Sequence, residues 1–186
     1  MNKAIENQVT NWRQFKARVN DLIEREEPTT FLFLSIKDSF APQIFIQLFN
    51  EKNSIKFKYV TWSETADWSK YKDIFLNELA NLSEFPPTLV CYEGRLTSVQ
   101  SEQLFQIVKT VSVVLPLDEC SITLDGTQFY LSFGTGSPSN VQINWQNEIP
   151  PSFSGICEFL KYLKSLLSEH AGPDFSIREL DRICKT

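Results

Sequence analysis

Residues 119–170 read ECSITLDGTQFYLSFGTGSPSNVQINWQNEIPPSFSGICEFLKYLKSLLSEH, and this stretch decides the fold class. Cys120, Ile122 and Leu124 alternate with Glu119, Ser121 and Thr123. Phe129, Leu131 and Phe133 alternate with Gln128, Tyr130 and Ser132; Val141, Ile143 and Trp145 alternate with Gln142, Asn144 and Gln146. A period of two puts each apolar trio on one face of a pleated sheet. Asp125-Gly126 is a two-residue hairpin signal, because a type I′ turn needs positive φ at both positions. That turn predicts pairing of Leu124 with Thr127, Ile122 with Phe129 and Cys120 with Leu131. Pro150-Pro151 then introduces a helix over 153–169, with Ile156, Phe159, Leu160, Leu163, Leu166 and Leu167 on one face.

Outward from this block the pattern repeats in kind. Residues 3–26 read as a helix with Ile5, Val9, Trp12, Phe15, Val19, Leu22 and Ile23 in one stripe, stopped by Pro28. Phe31 to Ile36 reads as a strand buried on both faces. Gln43 to Phe49 suits a strand or a helix. The strand is chosen because Ile55, Phe57 and Tyr59 alternate just beyond it. A four-residue loop, 50–53, would pair Leu48 with Ile55 and Ile46 with Phe57. A helix is expected over 68–82, a short strand over Thr88 to Tyr92, and a helix opened by a Thr97/Gln100 capping box and carrying Leu104, Ile107, Val108 and Val111. Pro116 breaks it, and a last short helix is expected over 177–184. Runs of strands flanked by helices mean an α+β fold of antiparallel three-strand meanders and amphipathic helices. The 186 residues fit one domain over 1–186, or two similar halves meeting near 85–88. Whether the strands form one sheet or two is left open.

Composition narrows the function classes. The net charge of −5 opposes generic nucleic-acid binding, which needs Lys and Arg to neutralise phosphates. Lys52, Lys56 and Lys58 are best read as the solvated side of a strand. No apolar run approaches the ~20 residues that span a bilayer, and the charged, polar start is not a signal peptide. A cytoplasmic location is expected, with no membrane partner and with Cys91, Cys120, Cys157 and Cys184 as reduced thiols. No C-x-x-C pair or Cys/His cluster occurs, so no metal and no cofactor are expected.

Catalytic patterns are weak. His170 is the single His, at the polar end of a helix, which reads as a surface or capping position. Cys157 would lie about 20 Å from it along the same helix at ~1.5 Å per residue. Pairing of His170 with Cys91 or Cys120 stays open. Glu64 with Asp67, and Asp118 with Glu119, could serve as acid–base pairs, but such positions more often cap helices or turns. The loop 134–140 has the glycines of a phosphate cradle but joins two strands and carries no Lys. No catalytic residue is assigned.

One surface stands out. Gln128, Tyr130, Ser132, Gln142, Asn144 and Gln146 form a charge-free polar face on the second strand group. Interfaces are depleted in Lys and Glu and enriched in Tyr. Gln128, Tyr130, Ser132, Gln142 and Asn144 are therefore the candidate partner-binding residues, with Tyr130 as anchor. The competing reading is that a helix of the same chain covers them.

The N-terminal half, through Trp12-x-x-Phe15 and Ile44-Phe45-Ile46-Gln47-Leu48-Phe49, resembles type III secretion chaperone-like domains over roughly 10–82. The C-terminal half, through Asp125-Gly126-Thr127, the strand ending in Trp145, and Pro150-Pro151 before a Leu-rich helix, resembles small bacterial immunity-type proteins. Both likenesses imply a non-enzymatic, partner-binding role and supply no catalytic residue. The expectation is a cytoplasmic immunity-, chaperone- or adaptor-like protein that binds a protein partner. The alternatives are an enzyme whose acid–base or thiol site assembles from distant segments, and a structural oligomerisation module. The apolar stripe of the first helix leaves room for a homodimer.

Overall fold

The alternation read along the chain becomes a six-stranded sheet with two unlike faces. The computed structural model describes residues 10, 14–15, 17–22, 29–38, 42–51, 54–63, 65–67, 86–113, 126–134, 141–171 and 177. Its large sheet is built from β1 (Thr30–Asp38), β2 (Ile44–Glu51), β3 (Ser54–Trp62), β4 (Leu89–Arg95), β6 (Thr127–Phe133) and β7 (Val141–Gln146), in the order β4-β3-β2-β1-β6-β7. All neighbours are antiparallel. Two helices follow their expected stretches, α1 (Ser98–Thr110) and α2 (Ile156–Ala171). A separate ribbon pairs β5 (Ser112–Val113) with β8 (Phe153–Ser154). The fold is α+β, as the strand runs and flanking helices imply.

On the first face, Leu32, Leu34, Ile36, Ile46, Leu48, Phe57, Phe129, Leu131 and Ile143 meet α2 through Ile156, Phe159, Leu160, Leu163, Leu166 and Leu167. These are the six α2 residues whose steps of three and four mark an apolar stripe. α1 adds Leu104, with Ile107, Val108 and Val111 at the margin. Its capping box is formed: the Gln100 N–H donates to Thr97 Oγ1 at 3.2 Å, and the Thr97 N–H donates to Gln100 Oε1 at 2.9 Å. On the second face, Phe33, Phe45, Val60 and Trp62 pack with Phe15 and Val19. Phe15 and residues 17–22 are helical, within the N-terminal helix expected over 3–26. Strands β1 and β2 are buried on both sides, which explains why their sequences are apolar runs without clean alternation.

Several expectations need correction. The β2–β3 register pairs Leu48 with Phe57 and Ile46 with Tyr59, and Glu51 with Ser54. The connection is therefore the two residues 52–53, not the four of 50–53. The shift is an even number of positions, so the side-chain faces are unchanged. The pairing expected for 120–124 is not available. The Gly134 N–H donates to the Phe31 carbonyl, and the Asn147 N–H to the Thr127 carbonyl at 2.8 Å. By antiparallel alternation, the even-numbered residues of β6 bond β1 and the odd-numbered ones bond β7. Phe129 and Leu131 thus have Trp145 and Ile143 as partners, not Ile122 and Cys120. Residues 120–124 themselves lie outside the described residues, as do the helix expected over 68–82 and, apart from Ile177, the one expected over 177–184. The expected strand from Thr88 belongs to the first meander as its fourth member, β4. The helix expected from 153 starts at Ile156, because Phe153-Ser154 is taken by the small ribbon and Gly155 turns the chain at φ 74. A side chain on Gly155 would run into the Thr110 carbonyl. The two strand groups form one sheet, since β1 bonds β2 on one side and β6 on the other.

Candidate partner-binding edge

The candidate chemistry of the chain separates once the faces are known. Asp67, a member of one of the two candidate acid pairs, is fully buried. Its carboxylate accepts from Trp62 Nε1 at 2.9 Å, from the Thr88 N–H at 2.6 Å and from Thr88 Oγ1 at 2.6 Å. It ties the end of β3 to the residue before β4, a structural task. Glu64, Asp118 and Glu119 lie outside the described residues. His170 sits in the last turn of α2, with its ring 4.9 Å from that of Phe57 and its Nδ1 near Gly94. Phe57 and Gly94 are paired and belong to the first face, so Cys91 projects from the opposite face of β4. The sheet stands between Cys91 and His170, and a thiol–imidazole pair is ruled out there. Cys91 is exposed beside Glu93, at 3.9 Å. Partial desolvation, then the Glu93 charge, raise its pKa against the opposing pull of Lys58. A reactive thiolate needs the reverse environment. Cys91 and Cys157 are thiols; Cys120 and Cys184 lie outside the described residues.

Of the candidate basic patch Lys52 lies outside the described residues, and the basic residues of β3 and β4 are occupied. Lys56 pairs with Glu51, Arg95 with the same carboxylate at 3.0 Å, and Lys58 lies 4.0 Å from Glu93. Among the described residues no group of three or more His, Cys, Asp or Glu could hold a metal ion. Among them, too, no helix is long and apolar enough to cross a membrane. Of the loop 134–140 only Gly134 is described, at φ 74 where β6 ends.

The structure divides the charge-free face into two parts. Ser132 is fully buried. Tyr130 is half-buried, stacked on Phe33 at 4.9 Å and packed at the margin of the cluster that holds Phe15 and Val19. These two belong to the second layer of the core, a role their alternation with apolar residues does not reveal. Gln128, Gln142 and Asn144 are exposed. Gln142 and Asn144 lie on β7, the last strand of the sheet among the described residues.

That edge has a geometry the side-chain pattern alone could not supply. Because Thr127 and Asn147 form a hydrogen-bonded pair, so do Phe129 with Trp145, Leu131 with Ile143 and Phe133 with Val141. The main-chain N–H and C=O groups of Gln142, Asn144 and Gln146 therefore point away from β6. Among the described residues no strand pairs with this side of β7. The strand carries no charge and no Pro, the usual devices that blunt an edge. The opposite edge differs. In β4 the outward groups belong to Leu89, Cys91, Glu93 and Arg95, as the Leu96 N–H to Ile55 carbonyl bond shows. That edge carries two charged side chains.

At its inner end β7 is anchored by Asn147, whose φ is 59. The Asn147 Oδ1 accepts from the Thr127 N–H at 3.0 Å. A side chain at Gly126 would meet this amide, and its φ of 147 is one that residues with a side chain rarely adopt. Compared with known protein families, curated proteins and solved structures, the chain matches none.

Proposed function

We propose that this chain is a non-enzymatic protein-binding domain that takes up an extended segment of a protein partner along β7, serving as an immunity factor, chaperone or adaptor. The observation that carries the reading is the outer side of β7. Its main-chain groups at Gln142 and Asn144 point away from β6, on a charge-free strand that is the last of the sheet among the described residues. Strand addition uses such groups for affinity and the alternating side chains beside them for specificity. Gln128, Gln142 and Asn144 supply exposed amides next to the edge. Tyr130 and Ser132 flank that surface, opposite Asn144 and Gln142 on the same face. The structural duty of Asp67 and the separation of Cys91 from His170 weigh against two of the arrangements that an enzyme could use.

The test is partner capture from native lysate by immobilised wild-type chain and by Asn144→Pro. Proline removes one outward N–H and is tolerated on the open side of an edge strand. Proteins held by the wild type should be lost by a folded Asn144→Pro variant, with affinity reduced at least ~10-fold, or 1.4 kcal/mol. Undiminished capture by the folded variant would overturn the reading.

A further inference from the structure

We infer that residues 148–154 form a flap that opens as a local unit about Asn147 and Gly155 and uncovers the buried indole of Trp145. Trp145 belongs to the first-face core. Its ring is stacked on Phe129 at 5.1 Å and set perpendicular to Phe153 at 6.3 Å. Its Nε1 is buried, and no protein acceptor among the described residues reaches it. Trp62 offers the contrast, because its Nε1 donates to the Asp67 carboxylate at 2.9 Å. A buried donor without a protein acceptor is a cost of the closed state, and opening to water removes it.

The cover over Trp145 is thin. Residues 146–155 are all described and none of them is buried, while Trp145 and Ile156 on either side are. Ile149 and Phe153 reach only the margin of the first-face core. The ribbon that ties the flap down pairs two residues, Phe153-Ser154, with Ser112-Val113. Few buried apolar contacts and a short ladder mark a segment of low local stability. The ends of the flap, by contrast, are fixed to the body. The Asn147 N–H donates to the Thr127 carbonyl at 2.8 Å, and its Oδ1 accepts from the Thr127 N–H at 3.0 Å. Gly155 lies against the Thr110 carbonyl and accepts from the Phe159 N–H at 3.0 Å. Both ends have positive φ, 59 and 74, a region that Asn and Gly enter more readily than other residues. Between them Pro150 and Pro151 restrict φ, and the Phe153 N–H donates to the Pro150 carbonyl at 2.9 Å, so the flap keeps its own shape as it moves. Backbone rotation at the two ends then lifts Phe153 off Trp145 while the sheet and α2 stay in place. Opening breaks the ribbon and bares the Trp145–Phe129 stack as an apolar surface with one free donor. None of this depends on the outer side of β7.

The experiment is hydrogen exchange of the indole N–H groups in the isotope-labelled full chain, followed by NMR. Trp145 should exchange at least ~10-fold faster than Trp62, at a rate that low urea hardly changes, because a local opening exposes little surface. Ser112→Cys combined with Ser154→Cys staples the ribbon, since directly opposed antiparallel residues have Cα atoms ~4.5–5.5 Å apart, within disulfide reach. With the bridge located by peptide mapping, oxidation should slow Trp145 exchange at least ~10-fold and reduction should restore it. Wild type oxidised in the same way should not change. Phe153→Ala should speed Trp145 exchange and leave Trp62 as it was. Equal acceleration of both indoles would show that Phe153 supports the whole fold rather than a flap, and would count against the inference. Exchange of Trp145 as slow as that of Trp62, with the steep urea dependence of global unfolding, overturns it. A stapled chain whose Trp145 still exchanges fast overturns it too, because the indole is then reached by another route.

Discussion

Asp67 illustrates how little a residue type says before its neighbours are known. In the sequence it is one of a pair of acids with the spacing of a cap or an acid–base site. In the fold it is a buried acceptor for Trp62 and for both donors of Thr88. Removing it leaves the buried Trp62 Nε1 without this acceptor, and a stranded buried donor costs ~1–3 kcal/mol. Asp67→Ala should therefore lower the unfolding free energy from urea titration by that amount, with a lower midpoint, and Asp67→Asn should lose less because an amide oxygen still accepts. A midpoint unchanged in Asp67→Ala would mean the carboxylate is not the latch between β3 and β4. Tyr130 makes the same point in the other direction. Alternation places it on the polar side, and its stacking on Phe33 then makes it part of the second core layer.

Helix α2 is the element whose sequence and structure agree most closely. Its six apolar residues recur at steps of three and four and all six are buried on the first face. Leu163 is fully buried in the cluster that includes Leu131 and Ile143. Leu163→Ala should cost ~2–5 kcal/mol, the range for a core leucine whose cavity collapses only partly. Thermal or urea unfolding checks this, and an unshifted transition would contradict the packing of α2 on the sheet. Strands β2 and β3 were legible for the same reason: the side-chain faces follow from parity. Their register was not, because a two-residue and a four-residue connection preserve the same faces. Turn geometry, rather than burial, selects between them.

Strand β1 joins the two groups of strands, bonding β2 along one side and β6 along the other. Six strands share one hydrogen-bonded sheet, and α2 packs on residues from both groups. Loss of β1 or α2 would expose the core of either group. Urea unfolding should accordingly show a single transition, with far-UV circular dichroism and tryptophan fluorescence coincident. Two separable transitions would show that the parts on either side of 85–88 unfold independently.

Local chemistry was enough to identify β1, β2, β3, β6 and β7, the capping box of α1, the apolar stripe of α2 and the charge-free side of β6 and β7. Each depends on the period of side chains along a few residues, which a chain carries with it wherever it folds. The partner of each strand was settled elsewhere. Asp125-Gly126 argues for a hairpin back onto 120–124, yet β6 finds β1 and β7, because long-range pairing lets Phe129 and Leu131 share one core with Leu34, Ile36 and α2. The position of β7 follows from that choice: strand order and hydrogen-bond phase, neither of which is written in any local period, place Gln142 and Asn144 on the last strand of the sheet among the described residues.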